Sequence, residues 1–231
     1  MKYQHLFFDL DHTLWDFDTN SRETLVDLFL KYALEDELKV DSQQFVETYL
    51  RINEEKWQLY RLGRIDKARL RKERFLETFQ NFGLEDEKFS RQFEIEYIDL
   101  CPHKTALIPD CIEVLDYLKG KYEMHIITNG FSEVQDIKLN KSGLKPYFNK
   151  IISSEVVGVN KPSPEIFSES LKWTGAEKSK SIMIGDNLAA DIVGAKDFGM
   201  DQVFFNPELQ VHQEEVSFEI SSLKELKKIF I

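Results

Sequence analysis

The sequence predicts an α/β protein in which a domain of four helices is inserted into a doubly wound parallel sheet. After residue 100, short apolar runs of strand length alternate with helical segments of about ten residues or more. This alternation is typical of parallel strands joined by crossover helices. From about residue 16 to residue 100, apolar residues recur at helical spacing instead, with no alternating strand pattern.

Turn-forming residues and arginines are distributed unevenly along the chain. All six prolines and most glycines lie after residue 100, whereas every arginine lies between Arg22 and Arg91. Such a change of composition predicts two different architectures. We therefore expect a core domain of residues 1–15 and 101–231, and an inserted helical domain of residues 16–100.

The helical segment divides into four predicted helices. Residues 18–20 offer N-caps for the first helix, and Asp41 begins a loose capping box for the second. Gly63 and Gly83 follow the second and third helices, as glycines at helix C-termini do. Pro102 ends the fourth helix, because proline cannot continue the hydrogen-bond ladder.

The α/β segment begins with one strand before the helical insertion and continues after it. We expect strands at 3–8, 124–127, 151–152, 182–184 and 202–205, helices at 110–119, 132–141, 164–173 and 188–198, and a last strand and amphipathic helix within 216–231. In such a sheet, ligands bind beyond the carboxyl ends of the strands. The residues that follow each strand are therefore the candidates for a functional site.

Composition and charge exclude several classes of protein. A chain of 231 residues that is 42% hydrophobic can bury a core, and a net charge of −11 opposes binding to polymeric nucleic acid. No segment approaches the roughly 20 apolar residues that span a bilayer, and the N-terminus has no apolar region of signal-peptide length. Cys101 and Cys111 match neither a disulfide framework nor a zinc site. We expect a cytoplasmic protein without a membrane partner, whose oligomeric state the sequence does not indicate.

Polar residues follow four of the predicted strands. They are Asp9 and Asp11, Thr128 and Asn129, Lys161, and finally Asp186, Asn187 and Asp191. Each group alone is typical of a turn or a helix cap. Together they place several acids and one ammonium in a single crevice, which is costly unless a cation and an anion bind there. Carboxylate oxygens suit Mg²⁺, and a hydroxyl with a lysine suits a phosphate, so the pattern predicts phosphoryl chemistry.

His12 lies between the first two acids. Side chains alternate along an extended strand, so we expect the ring to point away from Asp9 and to serve the structure.

Four strings carry a resemblance to a known family. They are DLDHTL at 9–14, ITNG at 127–130, KP at 161–162 and GDNLAAD at 185–191. In this order they resemble the four motifs of the haloacid dehalogenase-like (HAD) phosphohydrolases, over nearly the whole chain. The resemblance implies a Rossmann-like core and makes the helical insertion a class I cap. The strings FDLDHTLWDF, ITNGF and EVVGVNKP resemble the pyrimidine 5′-nucleotidase branch, which clears canonical and non-canonical nucleoside monophosphates.

The resemblance implies a role for each residue of the first three motifs. Asp9 would attack phosphorus and form an aspartyl-phosphate. Asp11 would protonate the leaving alkoxide, then activate the water, and would bind the metal through its backbone carbonyl. Thr128 would bind the phosphate by its hydroxyl together with neighbouring amides such as that of Asn129. Lys161 would neutralise Asp9 and the phosphate.

The fourth motif would complete the metal site. Asp186 would bind Mg²⁺ directly, and Asp191 would orient Lys161 or metal-bound waters. Asn187 either joins the metal shell or caps a helix. We therefore expect a Mg²⁺-dependent phosphatase for a small phosphomonoester, with a nucleoside 5′-monophosphate as the leading candidate.

Residues near and within the predicted cap are candidates for substrate specificity. Trp15 and Phe17 could stack a nucleobase or pack the junction between the domains. Arg61 and Arg64 flank Gly63 in a predicted turn between helices, where they could contact the substrate or remain solvated surface charges. The base, the sugar and the physiological substrate are left open.

Two other functions remain as alternatives. A phosphosugar phosphatase or phosphomutase of the same superfamily would use the same acids. A phosphoacceptor module resembling a receiver domain would also bring an Asp, a Thr and a Lys to strand ends, but it is far shorter and orders these groups differently along the chain.

Overall fold

The computed structural model describes residues 2–231, and the chain divides into two compact units. One unit comprises Met1–Phe17 and Thr105–Ile231, and the other comprises Asp18–Lys104. The chain passes from one unit to the other after residues 17 and 104, a few residues later than the boundaries expected from the sequence. Within the described residues, no helix combines the length and the apolar character needed to cross a membrane.

The first unit is built on a parallel sheet. Its six strands within residues 2–231 are β1 (His5–Phe8), β2 (Glu123–Thr128), β3 (Lys150–Ser153), β4 (Ser181–Gly185), β5 (Asp201–Phe205) and β6 (Phe218–Ile220). Their order is β3-β2-β1-β4-β5-β6, and every neighbouring pair is parallel. The chain reverses its direction of winding between β1 and β4, so the doubly wound sheet predicted from the sequence is confirmed.

The strands are apolar along their length because both faces of the sheet are covered. Phe7, Ile127, Ile152 and Met183 lie in one buried cluster with Phe167, which belongs to the helix Pro164–Thr174. Leu6 and Phe8, which alternate with Phe7, are also fully buried. Continuous apolar strands are what a parallel sheet packed on both faces requires.

Helices connect the first five strands, and one more helix follows β6. They are α6 (Cys111–Leu118), α7 (Ser132–Lys141), α8 (Ser154–Val157), α9 (Pro164–Thr174), a π-helical turn (Leu188–Val193) continued by α10 (Gly194–Phe198), and α11 (Leu226–Ile229). The π-helical turn replaces the first part of the single helix expected at 188–198. Such turns concentrate at functional sites. The sequence analysis did not predict α8, because one helical turn leaves no periodic pattern.

The second unit is helical. Its helices are α1 (Phe17–Lys31), the short α2 (Leu34–Leu38), α3 (Ser42–Arg61), α4 (Lys67–Asn81) and α5 (Glu87–Leu100). Asp41 forms the expected capping box, in which Gln44 N donates to Asp41 Oδ1 (2.8 Å) and Asp41 N donates to Gln44 Oε1 (3.3 Å). The Asp66 side chain caps α4 by accepting a bond from Arg69 N, and the Asp86 side chain caps α5 by accepting bonds from Lys88 N and Phe89 N. Residues 18–20 are not N-caps, because α1 begins one residue earlier.

Aromatic side chains form the core of the helical unit. Phe45 and Phe79 pack with ring centroids 5.5 Å apart, and Phe79 meets Phe93 edge to face at 5.2 Å. Tyr49 packs on Phe75 at 4.7 Å. All five side chains are fully buried, so they bring α3, α4 and α5 together through large apolar contacts.

Two histidines meet in the sheet of the first unit. His5 Nδ1 lies 3.2 Å from His125 Nε2, with β1 and β2 side by side. His125 is buried, and its pKa is lowered to about 4, first by loss of water and then by the nearby charges of His5 and Lys150. The folded chain therefore holds His125 neutral, whereas an unfolded chain protonates it near its usual pKa.

This difference predicts a loss of stability in acid. As the pH falls from about 6.5 towards 4, the unfolded state takes up the proton first, and we expect His125 to cost up to about 3 kcal/mol. His125→Phe should remove this part of the pH dependence, measured as free energies of unfolding in urea at neutral and mildly acidic pH. His103→Gln, an exposed histidine, is the control. Identical acid sensitivity in wild type and His125→Phe would contradict the prediction.

Candidate active site

Acidic and basic side chains converge where β1, β2 and β4 end. Asp9 follows β1 directly, and its N–H still donates to Ile184 O of β4 (2.9 Å). Asp186 follows β4, and Thr128 is the last residue of β2. These ends adjoin the point where the winding reverses, which is where open α/β sheets bind ligands. The structure thus brings these three predicted residues to one edge of the sheet.

Lys161 lies between two of the acids. Its Nζ is 2.5 Å from Asp9 Oδ1 and 2.7 Å from Asp191 Oδ1, and it also donates to Ile127 O (2.7 Å). The Lys161 side chain is only 2% exposed, so its ammonium has exchanged water for these three oxygens. Asp191 is likewise buried and, through Oδ2, accepts a bond from Asn187 N (3.1 Å).

Asp186 is held by a residue that the sequence analysis missed. Thr13 Oγ1 donates to Asp186 Oδ1 (2.8 Å), and Asp186 N donates back to Thr13 Oγ1 (3.1 Å). Thr13 is fully buried. The sequence could have indicated Thr13 by its position, since it lies two residues after Asp11 in the turn that follows β1. The pair of bonds fixes the direction of the Asp186 carboxylate.

Gly185 makes room for the buried acid of the fourth motif. A Cβ on Gly185 would lie 2.3 Å from Asp191 Oδ2 and 2.5 Å from its Cγ. Any larger residue at position 185 would therefore displace the carboxylate that pairs with Lys161. The glycine is required by this close approach and not by an unusual backbone conformation.

The electrostatic balance of the cluster leaves an excess of negative charge. Burial raises the pKa of Asp9 well above its usual value, and Asp191 and Asp186 raise it further against the effect of Lys161. Burial likewise raises the pKa of Asp186 to about 6, opposed by His12 and reinforced by Asp191. Burial alone would lower the pKa of Lys161, but Asp191 and Asp9 outweigh it and raise it. Buried carboxylates that raise one another's pKa would be stabilised in their ionised form by a further cation.

The carboxylates could hold that cation. One oxygen from each of Asp9, Asp186 and Asp191 lies within 4.8 Å of the others. Three carboxylates and one ammonium leave a formal charge of −2, and hard oxygen donors are the ligands that Mg²⁺ takes in proteins. The residues therefore fit a divalent cation by both charge and donor type.

The loop after β2 is tied to Lys161 through its backbone. Asn129 Nδ2 donates to Lys161 O (3.0 Å), and Lys161 N donates to Asn129 Oδ1 (2.8 Å). The Asn129 side chain is thus engaged, and any phosphate contact from this residue would use its backbone N–H. Thr128 Oγ1 accepts a bond from Gly130 N (3.0 Å), which orients the hydroxyl at the strand end.

Comparison with known proteins decides the family. Residues 3–199 match the model of the haloacid dehalogenase-like hydrolases. The chain belongs to this family. The HAD-like hydrolase predicted by the four motifs is confirmed, with the helical unit inserted between the first and second motifs.

Relatives of this HAD-like hydrolase align with nearly all of its sequence. It is 34% identical over 232 residues to the pyrimidine 5′-nucleotidase PynA of Streptococcus pneumoniae, covering 98% of this chain and 94% of PynA. It is 31% identical to the pyrimidine 5′-nucleotidase YjjG of Escherichia coli, covering 99% and 98% of the two chains. Among solved structures, YfnB of Bacillus subtilis, determined bound to magnesium, superposes with a TM-score of 0.87 at 28% identity, covering 100% and 99%.

Asp11 lies apart from the Asp9–Asp186–Asp191 cluster. Its Oδ1 is 2.5 Å from Lys138 Nζ, and its Oδ2 accepts a bond from Gln135 Nε2 (2.9 Å). Burial acts to raise the pKa of Asp11, but Lys138 and Gln135 outweigh it and lower the pKa below its usual value. Sequence reasoning missed both partners, because they lie in α7 and resemble the other polar residues of that helix.

His12 does not lie on the extended strand that the sequence analysis assumed. Its φ is 62°, so the chain turns at this residue and the alternation of an extended strand does not apply. The ring packs on Phe17 with centroids 4.9 Å apart. The nearby ring also acts to lower the pKa of Asp186 against the effect of burial.

The aromatic candidates of the first unit differ in exposure. Trp15 is fully buried, with Lys138 Nζ 4.2 Å from its ring centroid and Phe17 packed edge to face at 6.2 Å. An indole in this position packs the core of the HAD-like unit. Phe17 is partly exposed.

The remaining candidates lie in a helix cap and in the helical unit. Asn187 caps the π-helical turn, since its Oδ1 accepts a bond from Ala190 N (2.9 Å). Arg61 pairs with Glu54 of the same helix, while Arg64 is exposed in the turn between α3 and α4. Gly63 adopts a φ of 67°, which favours glycine. Substrate contacts by Arg61, Gly63 and Arg64 stay a prediction.

The buried ammonium predicts a stability test. Lys161→Met keeps the apolar stem but leaves two buried carboxylates without their cation, so we expect a loss of about 3–5 kcal/mol in the free energy of unfolding. Lys172→Met, whose exposed ammonium contacts Glu169 at 3.2 Å, should cost less than about 1 kcal/mol. Denaturant unfolding at neutral pH measures both variants. Equal losses in the two proteins would show that Lys161 contributes no more than a surface charge.

Proposed function

We propose that this chain is a Mg²⁺-dependent phosphatase that hydrolyses a nucleoside 5′-monophosphate through an aspartyl-phosphate on Asp9. The observation that carries the proposal is the buried arrangement of Asp9 with Lys161, Asp186 and Asp191 at the end of β1. Hydrolysis of phosphate monoesters is among the slowest uncatalysed reactions, so an enzyme must neutralise charge around the phosphorus. This cluster supplies both a carboxylate nucleophile and the means of neutralisation.

Asp9 is the nucleophile in this proposal. One of its oxygens attacks phosphorus, and the bond from phosphorus to the ester oxygen breaks in line with it. Lys161, 2.5 Å from Asp9 Oδ1, fixes the carboxylate and offsets the charge of the incoming phosphate. Thr128, whose hydroxyl is oriented by Gly130 N, binds a phosphate oxygen.

Asp11 carries the protons. In its protonated form, which the ion pair with Lys138 opposes, Asp11 gives a proton to the alkoxide as the alcohol leaves. It then takes a proton from the water that attacks the aspartyl-phosphate. The phosphorus–Asp9 bond breaks in this second step, which regenerates Asp9 and releases inorganic phosphate. Its place two residues after Asp9, outside the Asp9–Asp186–Asp191 cluster, supports a task separate from binding a cation through its side chain.

Asp186 holds Mg²⁺ together with Asp9, while Asp191 keeps Lys161 in place. When bound, the metal ion supplies positive charge at the phosphoryl oxygens. The raised pKa values of Asp9 and Asp186 support this assignment, since a divalent cation would satisfy both acids. The structure of YfnB bound to magnesium supports it further.

The substrate class follows from the relatives. PynA and YjjG are both named pyrimidine 5′-nucleotidases, and each aligns with this chain over at least 98% of its length. Such coverage includes the helical unit as well as the motif residues. A pyrimidine nucleoside 5′-monophosphate is therefore the substrate that we propose.

The first test is the release of phosphate from a panel of nucleotides and sugar phosphates. Wild type should act on pyrimidine nucleoside 5′-monophosphates, and Asp9→Asn should retain less than about 1% of this activity because an amide cannot attack phosphorus. Asp197→Asn, an exposed acid of α10, should match wild type. Substantial turnover by a folded Asp9→Asn variant would remove Asp9 from the role of nucleophile. Preference for sugar phosphates would instead support the alternative substrate class.

The second test removes the metal ion. Chelation by EDTA should abolish phosphate release, and Mg²⁺ in excess should restore it, because the cluster of acids then loses and regains its cation. Mg²⁺ should also raise the melting temperature of wild type, since a ligand that binds only the folded state stabilises it. Asp186→Asn should need at least about tenfold more Mg²⁺ for both effects. Undiminished activity in EDTA would exclude the proposed metal dependence.

A further inference from the structure

Helix α7 presents two polar side chains to the edge of the sheet. Gln135 and Lys138 stand three residues apart, so they share one face of the helix, and both are buried. They are directed to Asp11 and to Thr128, which the chain supplies from the ends of β1 and β2. None of the four family motifs contains either residue.

Lys138 is fixed from two sides. Its Nζ lies 2.5 Å from Asp11 Oδ1 and 4.2 Å from the ring centroid of Trp15. The side chain is only 7% exposed. An ammonium that has lost its water is favourable only where other groups replace it, and here one carboxylate and one indole ring do so. The lysine therefore has little freedom to leave Asp11.

Gln135 joins two groups of the site. Its Nε2 donates to Asp11 Oδ2 and to Thr128 Oγ1, each at 2.9 Å. A Cβ on Gly130 would lie 1.6 Å from this nitrogen, so the glycine of the ITNG string leaves the space that Gln135 occupies. The opposite amide atom, Oε1, is buried without a hydrogen-bond partner within residues 2–231. A buried amide oxygen without a partner is unfavourable, and its presence here calls for an explanation, which the two bonds donated by Nε2 supply.

We propose that Lys138 and Gln135 are positioning residues for the reaction. Lys138, braced by Trp15, holds Asp11 where it exchanges protons with the leaving group and with water. Gln135 sets the same carboxylate relative to Thr128, so one amide fixes the distance between the proton donor and the bound phosphate. This inference rests on the proposed function, because it takes Asp11 as the proton carrier.

The reaction offers a measurement that separates positioning from folding. An alkyl ester such as uridine 5′-monophosphate expels a basic alkoxide and needs the proton of Asp11. The 4-nitrophenolate of 4-nitrophenyl phosphate leaves without one. Because kcat/KM reports the steps up to departure of the leaving group, a misplaced Asp11 should lower it for the alkyl ester alone. A variant that merely damages the fold should lower it for both esters alike.

The experiment compares Lys138→Met, Lys138→Arg and Lys141→Met with wild type on both esters. Lys138→Met should lose about tenfold to a hundredfold in kcat/KM for uridine 5′-monophosphate and less than about threefold for 4-nitrophenyl phosphate. Lys138→Arg should regain most of the loss, since a guanidinium can still pair with the carboxylate and stack on Trp15. Lys141→Met, an exposed lysine of the same helix, should match wild type on both esters.

Gln135→Leu tests the second positioning residue. Loss of the amide frees both Asp11 and Thr128, so we expect the alkyl ester to suffer as in Lys138→Met. In addition, inorganic phosphate should inhibit more weakly, because Thr128 is no longer oriented. Phosphate inhibition of Lys138→Met should stay close to that of wild type. Melting temperatures of all variants establish that they are folded at the assay temperature.

The outcomes separate this inference from the proposed function. Equal losses on the two esters, or no loss on either, in a folded Lys138→Met variant would overturn the positioning role while wild-type phosphatase activity stands. Wild type that releases no phosphate from either ester would overturn the proposed function, and the positioning role with it. A selective loss on the alkyl ester that Lys138→Arg repairs supports both.

Discussion

The arrangement of the site depends on one buried ammonium. Lys161 reaches Asp9 after β1, Asp191 after β4 and the carbonyl oxygen of Ile127 in β2. Without this ammonium, acids contributed by separate strands would repel one another in a largely buried region. Gly185 permits the close approach of Asp191, and Asn129 holds the backbone of Lys161. Gly185 and Asn129 thus both help to place the ammonium of Lys161 between its two carboxylates.

The sequence predicted this centre well because strand ends are easy to recognise. Apolar strands such as β1 and β4 are followed at once by Asp9 and Asp186, and parallel strands must bring these ends to one edge. The fold and the family follow from the same periodicity and the same four strings. For Asn187 the sequence offered two roles, a place in the metal shell or a helix cap. The structure shows the cap, and capping residues have a local signature that needs no tertiary information.

The residues that the sequence did not reveal act through contacts distant in the chain. Lys138 and Gln135 meet Asp11 across more than a hundred residues, and nothing in the spacing of α7 distinguishes them from other buried positions. At His12 the sequence analysis assumed strand geometry, whereas a φ of 62° turns the chain at this residue. Sequence patterns give the regular elements and the residues at strand ends, but they do not give contacts between distant segments or the conformation of a turn.

The two lysines divide the charge of the site between them. Lys161 offsets the charge of Asp9 and Asp191, and Lys138 offsets the charge of Asp11. With Asp186, four carboxylates face two ammonium groups, so the formal deficit is two positive charges. The raised pKa values of Asp9 and Asp186 express this deficit on the side of Lys161, whereas the pKa of Asp11, next to Lys138, is lowered. A divalent cation would therefore bind beside Asp9 and Asp186, while the carboxylate of Asp11 stays paired with Lys138.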